Sequence, residues 1–263
     1  MICAGYKAMM IACFLCFVSG HVAKAQQIVK VRQGDAEKEI LVLPHYTYDF
    51  DTTLVKKEEV NSGKPRKGKS AFKDQLSKVA LLTAEAGGNV LMIKRMDDRN
   101  QRGNYKMWGY ACHTDNYELL KTKAFAKKDK GLENGRYACV VLYRPEYTKG
   151  FNDETDMELT VNDTMHIGMK GSSKYMIQVP MSGNVKIATK DDVIVQHIEV
   201  KPGNTYYVRA YTNVPGGRRL LRVGESNVQI HGRAPYFEQI EAVQGELESS
   251  LITKITVMKK LGQ

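Results

Sequence analysis

The chain has 263 residues, with 39 Lys and Arg against 29 Asp and Glu and 43% hydrophobic residues. That balance excludes a disordered, collagenous or polytopic membrane protein. The length allows one or two domains, each able to bury a core without metal or dense disulfide support.

A single charge, Lys7, precedes an uncharged apolar run from Ala8 to Val18, and Ala23-Lys24-Ala25 closes the segment before Gln26-Gln27. This is the pattern of a secretory signal peptide with an A-x-A cleavage site, so cleavage is expected after Ala25. The apolar run reaches about half of the ~20 residues a membrane-spanning helix needs, so no transmembrane segment is expected after cleavage. Cys16 follows Cys13-Phe14-Leu15, a poor frame for lipid attachment, and a free periplasmic or extracellular protein is expected. Removing residues 1–25 takes Lys7 and Lys24 with it, which lowers the net charge from +10 to +8, and removes three of the five Cys. Cys112 and Cys139 remain, in a compartment that permits disulfides. They form one bridge or stay two buried thiols, since Cys also packs as a small hydrophobe.

The first mature elements are two β-branched runs, Ile28-Val29-Lys30-Val31 and Ile40-Leu41-Val42-Leu43, which read as strands around the turn Gln33-Gly34-Asp35. Pro44 to Lys69 is polar and ends in Ser62-Gly63-Lys64-Pro65-Arg66-Lys67-Gly68-Lys69, a basic loop. From Ser70 to Ala86 the residues Phe72, Leu76, Val79, Ala80 and Thr83 recur at helical spacing, and Gly87-Gly88 supplies a C-cap. Val90 to Ile93 is a continuous apolar run and hence a buried strand. A polar turn at Asp97 to Gly103 leads to a second strand, Tyr105–Cys112, which carries the lone tryptophan, Trp108. The order ββαββ predicts a small α/β domain over 26–115.

Residues 116–136 read as a short helix and basic linker. From Tyr137 the pattern changes to short strands: Ala138–Tyr143, Met157–Val161, Tyr175–Val179, Val185–Thr189, Val193–Val200, Thr205–Tyr211 and Leu220–Val223. Turn residues separate them, among them Asn162-Asp163, Ser182-Gly183-Asn184 and Lys201-Pro202-Gly203-Asn204. Such spacing predicts an antiparallel β-sandwich over 137–232, giving an α+β protein overall. The tail, 233–263, holds Phe237, Ile240, Val243, Leu247, Leu251 and Ile255 at spacings of three and four, which suits an amphipathic helix. Its end, Ile252 to Val257, equally suits a strand.

Two resemblances accompany these patterns. Ala84-Glu85-Ala86-Gly87-Gly88-Asn89-Val90 resembles the helix-to-strand junction of small exported α/β modules, one of which occurs in the Rcs-type outer-membrane stress lipoproteins. Residues 137–225 resemble an exported bacterial domain-of-unknown-function family with a PEGA-like, lipoprotein-type β-sandwich. The motifs that carry this likeness are Val140-Val141-Leu142-Tyr143-Arg144-Pro145, the hairpin Glu158-Leu159-Thr160-Val161-Asn162-Asp163, and Val200-Lys201-Pro202-Gly203-Asn204-Thr205-Tyr206-Tyr207-Val208-Arg209. The hairpin departs from the pattern, lacking a Gly after its Asn. The resemblance implies a fold and an envelope location, and no activity.

The mature histidines, His45, His113, His166, His197 and His231, stand in no metal-ligand frame, and no nucleophile elbow, Walker loop or dinucleotide fingerprint occurs. No cofactor, metal or catalytic residue is therefore expected. The acidic pairs Glu58-Glu59, Asp97-Asp98 and Asp191-Asp192 read as solvated turns. Residues 56–78 carry a net +5 and 121–136 a net +4, so the rest of the mature chain is near −1. The positive charge is thus local, and it points to contacts through Lys64, Arg66, Lys67 and Lys69 with an anionic envelope component or a protein partner. Each basic segment holds a single aromatic residue, Phe72 or Phe125, where a single-strand platform needs several, and with the export signal this disfavours nucleic acid. In the closing motif, Tyr206, Tyr207 and Arg209 are the candidate contact residues. The sequence thus predicts a non-catalytic exported binding or structural module. A hydrolase or carbohydrate-active protein with a site between the domains is the alternative.

Overall fold

A computed structural model describes residues 28–44, 52–55, 58–64, 71–98, 105–129, 135–145, 156–190, 192, 194–212, 219–223, 226–230, 235–252 and 255–261. The expected signal segment, and with it Arg66, Lys67 and Lys69, lies outside them. Within them the fold is mixed α/β, with three helices and several sheets.

The first sheet begins with β1 (Ile28–Gln33) and β2 (Ala36–Pro44), an antiparallel hairpin turned at Gly34. Next come β3 (Thr53–Leu54) and β4 (Val60–Asn61), helix α1 (Ala71–Glu85), β5 (Val90–Asp98) and β6 (Tyr105–His113). Strand β5 lies parallel to β2 and antiparallel to β6, and β3 and β4 both pair with the far side of β6. The ββαββ order expected from the pattern is present. The 44–69 stretch is corrected, because it is not all loop. Two-residue strands show no periodicity, and only their pairing with β6 defines β3 and β4.

Helix α1 buries the expected stripe, Phe72, Leu76, Val79, Ala80 and Thr83, against Val31, Ile40, Val42, Leu91, Ile93 and Met107 of the sheet. Each large side chain removed from water there contributes roughly 1.5–3 kcal/mol before the chain entropy is set against it. The helix stops at Gly87, whose φ of 88° suits a residue without Cβ. At Gly88 a Cβ would lie 2.8 Å from the Cys112 carbonyl oxygen, so the Gly-Gly pair is needed for the close return of the chain to β6. Helix α2 (Tyr117–Asp129) covers the opposite face, setting Leu120 and Ala124 on Leu41, Leu43, Val90 and Cys112.

The second half consists of β7 (Ala138–Arg144), β8 (Met157–Val161), β9 (Met165–Met169), β10 (Ser173–Val179), β11 (Gly183–Thr189), β12 (Val195–Val200) and β13 (Thr205–Thr212). After them come the hairpin β14 (Arg219–Val223) and β15 (Ser226–Ile230), then β16 (Pro235–Ile240), helix α3 (Ala242–Ser250) and β17 (Ile255–Lys260). One sheet runs β16-β13-β7-β10-β17 and another β12-β11-β8-β9. Side chains from both fill one buried cluster, among them Val140, Leu142, Leu159, Ile167, Ile177, Ile187, Ile198 and Val208.

Strictly antiparallel sheets are not observed: β7 pairs parallel with β13, and β10 parallel with β17. Strand β7 is central and every one of its residues is buried. That is why it reads as an unbroken apolar run rather than an alternation. The expected helix of the tail is shorter than its stripe: Phe237 and Ile240 lie on strand β16, helix α3 takes up only Ala242–Ser250, and strand β17 follows.

Candidate functional site

The closing motif is spent on the fold. Lys201-Pro202-Gly203-Asn204 forms a type II turn, with Gly203 at φ 81° and the Asn204 N–H donating to the Lys201 carbonyl at 3.3 Å. The Tyr206 hydroxyl accepts from the Lys201 N–H at 3.0 Å and so ties the turn to β13. Alternation along β13 then sends Val208 and Ala210 into the core between the two sheets and Tyr207 and Arg209 to the other face. Helix α3 covers that face. It approaches so closely that a Cβ on Gly245 would fall 2.2 Å from Tyr207 Cβ. Of the candidate contacts, Arg209 is only 6% exposed and so faces the interior, while Tyr206 and Tyr207 are part-buried.

Arg209 belongs to a buried polar cluster that joins the two halves of the molecule through α3. Its Nη1 donates to the Tyr105 hydroxyl at 2.6 Å and to Glu248 Oε1 at 3.3 Å, and its Nη2 to Glu238 Oε2 at 3.0 Å. The Tyr105 hydroxyl donates to Glu248 Oε1 at 3.2 Å, the Tyr143 hydroxyl to Glu248 Oε2 at 2.6 Å, and Gln244 Nε2 to Glu248 Oε1 at 2.9 Å. Gln244 Nε2 also donates to the Tyr105 hydroxyl.

Glu248 thus accepts from four side chains drawn from β6, β7, β13 and α3. Burial and the neighbouring Glu248 carboxylate hold the Tyr143 phenol well above its ordinary pKa. Leu247 of α3 joins the core under α1, while Phe72 meets the Tyr105 ring edge-on at 5.8 Å. Arg209, Tyr105, Tyr143 and Glu248 are buried and bonded to one another, with the 42%-exposed Glu238 side chain at their margin, so they form a polar clamp between the two halves.

A second cluster is part-exposed. On the face of the first sheet that also carries α2 lie Lys94, Arg95, Lys106, Trp108 and Tyr110, of which Arg95 is exposed and the others are half-buried. A register shift between Ile93 and Arg95 marks a bulge in β5, which turns the adjacent Lys94 and Arg95 to the same side. The Arg95 guanidinium lies 3.9 Å and the Lys106 ammonium 4.7 Å from the centroid of the Trp108 ring. Lys94 sits 5.2 Å from the Tyr110 ring, donates to the Tyr110 hydroxyl at 3.0 Å and pairs with Glu59. The hydrogen bond from Lys94 holds the Glu59 carboxyl below the usual carboxylate range, and Glu59 in turn raises the Lys94 ammonium. Glu59 is therefore no mere solvated turn residue, whereas Asp192 is ion-paired to Lys186 at 3.1 Å on the surface.

Of the predicted basic contacts, Lys64 follows β4, whose Asn61 pairs with Trp108. The Lys64 carbonyl accepts from Gln75 Nε2 at 3.1 Å. In the other basic segment Lys121 is engaged by Glu39 at 3.5 Å and Glu118 at 3.7 Å. Cys112 and Cys139 are two free, buried thiols on different sheets, so the disulfide is not formed. Burial raises both thiol pKa values, that of Cys139 to about 11. Arg95, Lys106 and Trp108 carry no linear motif. Only the hairpin register, with its bulge, brings them together.

Among the described residues no group of three or more His, Cys, Asp or Glu is placed to hold a metal ion, and no helix is long and apolar enough to cross a membrane. No protein-family model matches the chain, and neither the curated proteins nor the solved structures yield a match.

Proposed function

We propose that the protein is an exported cell-envelope component that acts by binding rather than catalysis, built from an α/β domain over 26–115 and a β-sandwich of PEGA-like style over 137–232. The core shared by the two C-terminal sheets supports the sandwich, and the A-x-A segment supports export. The observation that carries the binding role is Trp108 with Arg95 and Lys106 against its ring, on the face of the first sheet that also carries α2. Two cations held against an aromatic ring form an ordered positive surface. Such a surface attracts a polyanionic envelope component.

Exposed charges are screened within roughly 8 Å at physiological ionic strength, so binding should weaken steeply with salt. The test is retention of the mature chain on immobilised polyanions and on neutral controls over a salt gradient. Retention on the polyanions alone, lost as salt rises, is expected. Absence of retention at low salt, or equal retention on neutral supports, would overturn the proposal.

A further inference from the structure

The part-exposed cluster has two chemically distinct ends. At one, Arg95 and Lys106 lie against the Trp108 ring and bring positive charge to it. At the other, Lys94, Tyr110 and Glu59 interlock, with the Tyr110 hydroxyl donating to Glu59 at 3.4 Å. That end provides donors and a carboxylate acceptor side by side. A purely anionic chain would be repelled by Glu59, whereas sugar hydroxyls both donate to a carboxylate and accept from an ammonium.

On the basis of the binding role proposed above, we infer that this cluster is a subsite for an acidic polysaccharide, with acid groups at Arg95 and Lys106 and hydroxyls at Lys94, Tyr110 and Glu59. Trp108 is the only tryptophan in the chain, so its fluorescence reports on this site alone.

The experiment titrates the full mature chain with polygalacturonate, poly-glutamate, dextran and anionic phospholipid vesicles, following Trp108 emission. Polygalacturonate should shift the emission saturably, poly-glutamate at least about tenfold more weakly, and dextran not at all. Arg95→Gln and Lys106→Gln should each weaken polygalacturonate roughly fivefold while the far-UV circular dichroism stays that of the parent. Glu59→Gln should narrow the gap between polygalacturonate and poly-glutamate. Equal response to the two polyanions, or a response to vesicles alone, overturns the inference. Polyanion capture with unchanged Trp108 emission and undiminished affinity in Arg95→Gln overturns this site but leaves the binding role standing. Absence of capture by any polyanion overturns both.

Discussion

At the α3 junction and in the part-exposed cluster of the first sheet the same side-chain types meet, an arginine, aromatic rings and a glutamate, and their surroundings give them opposite roles. In the junction, Arg209, Tyr105, Tyr143 and Glu248 are buried and hydrogen-bonded to one another. Burying those charges is costly, and the contacts within the cluster must offset that cost, so removing one partner leaves an uncompensated charge. On the sheet, the Lys94 and Glu59 side chains are 37% and 35% exposed, so water can replace either partner. Removal there costs little stability. What decides between a clamp and a contact surface is thus the cover above the residues. Helix α3 lies over one cluster, and the other is left part-exposed.

The largest expected effect tests the clamp. Arg209→Met or Glu248→Gln should each lower the free energy of urea unfolding by about 3–5 kcal/mol. A loss below about 1 kcal/mol would mean that water reaches the junction and that the contrast with the sheet face is false. Gly245→Ala should cost about 1–3 kcal/mol by the same measurement, since the added methyl drives α3 away from Tyr207.

A pH effect of smaller size should follow from Cys139. Its folded-state pKa is raised from 9.0 to about 11, so its contribution to stability is complete below pH 9.0 and is lost as pH rises towards 11. Tyr143 adds to the same decline at higher pH, since its folded pKa is also raised. Unfolding monitored across that range checks the sign, and a Cys139→Ser variant should flatten the lower part of the decline. At the small end, Glu59→Gln should leave the unfolding midpoint at the parent value while altering only ligand binding. A clear drop in the midpoint would place Glu59 with the clamp.

Legibility in the sequence followed the number of residues that share one environment. Helix α1 shows its stripe because Phe72, Leu76, Val79, Ala80 and Thr83 all face one sheet, and β7 shows an apolar run because both of its faces are covered. Strands β3 and β4 are too short to repeat anything. The parallel pairings of β7 with β13 and of β10 with β17 leave no local trace.

Tyr207 and Arg209 were legible as a pair on one face of β13, but what covers that face comes from the tail and is not written nearby. For the part-exposed cluster, one tryptophan with a lysine two residues before it was visible. The partner Arg95 was not, because the bulge shifts the register that a simple hairpin count would give. Cys112 and Cys139 stayed undecided in the sequence for a related reason: compartment chemistry permits a bridge, while the sheets each thiol belongs to are set by long-range topology.

The origin of α3 also bears on timing. Tyr105 and its acceptor Glu248 are 143 residues apart in the chain. Both cores therefore keep an unsealed flank until residues 242–252 have been made. The earlier segments can form local hairpins and α1 beforehand, but closing the junction is a late step with a large loop-closure cost. A chain interrupted before α3 would expose Leu247's seat under α1 together with a desolvated arginine, the type of surface that recruits chaperones and drives aggregation. Completion of the polypeptide, rather than the strength of either core, is then the event that commits the molecule to its folded state.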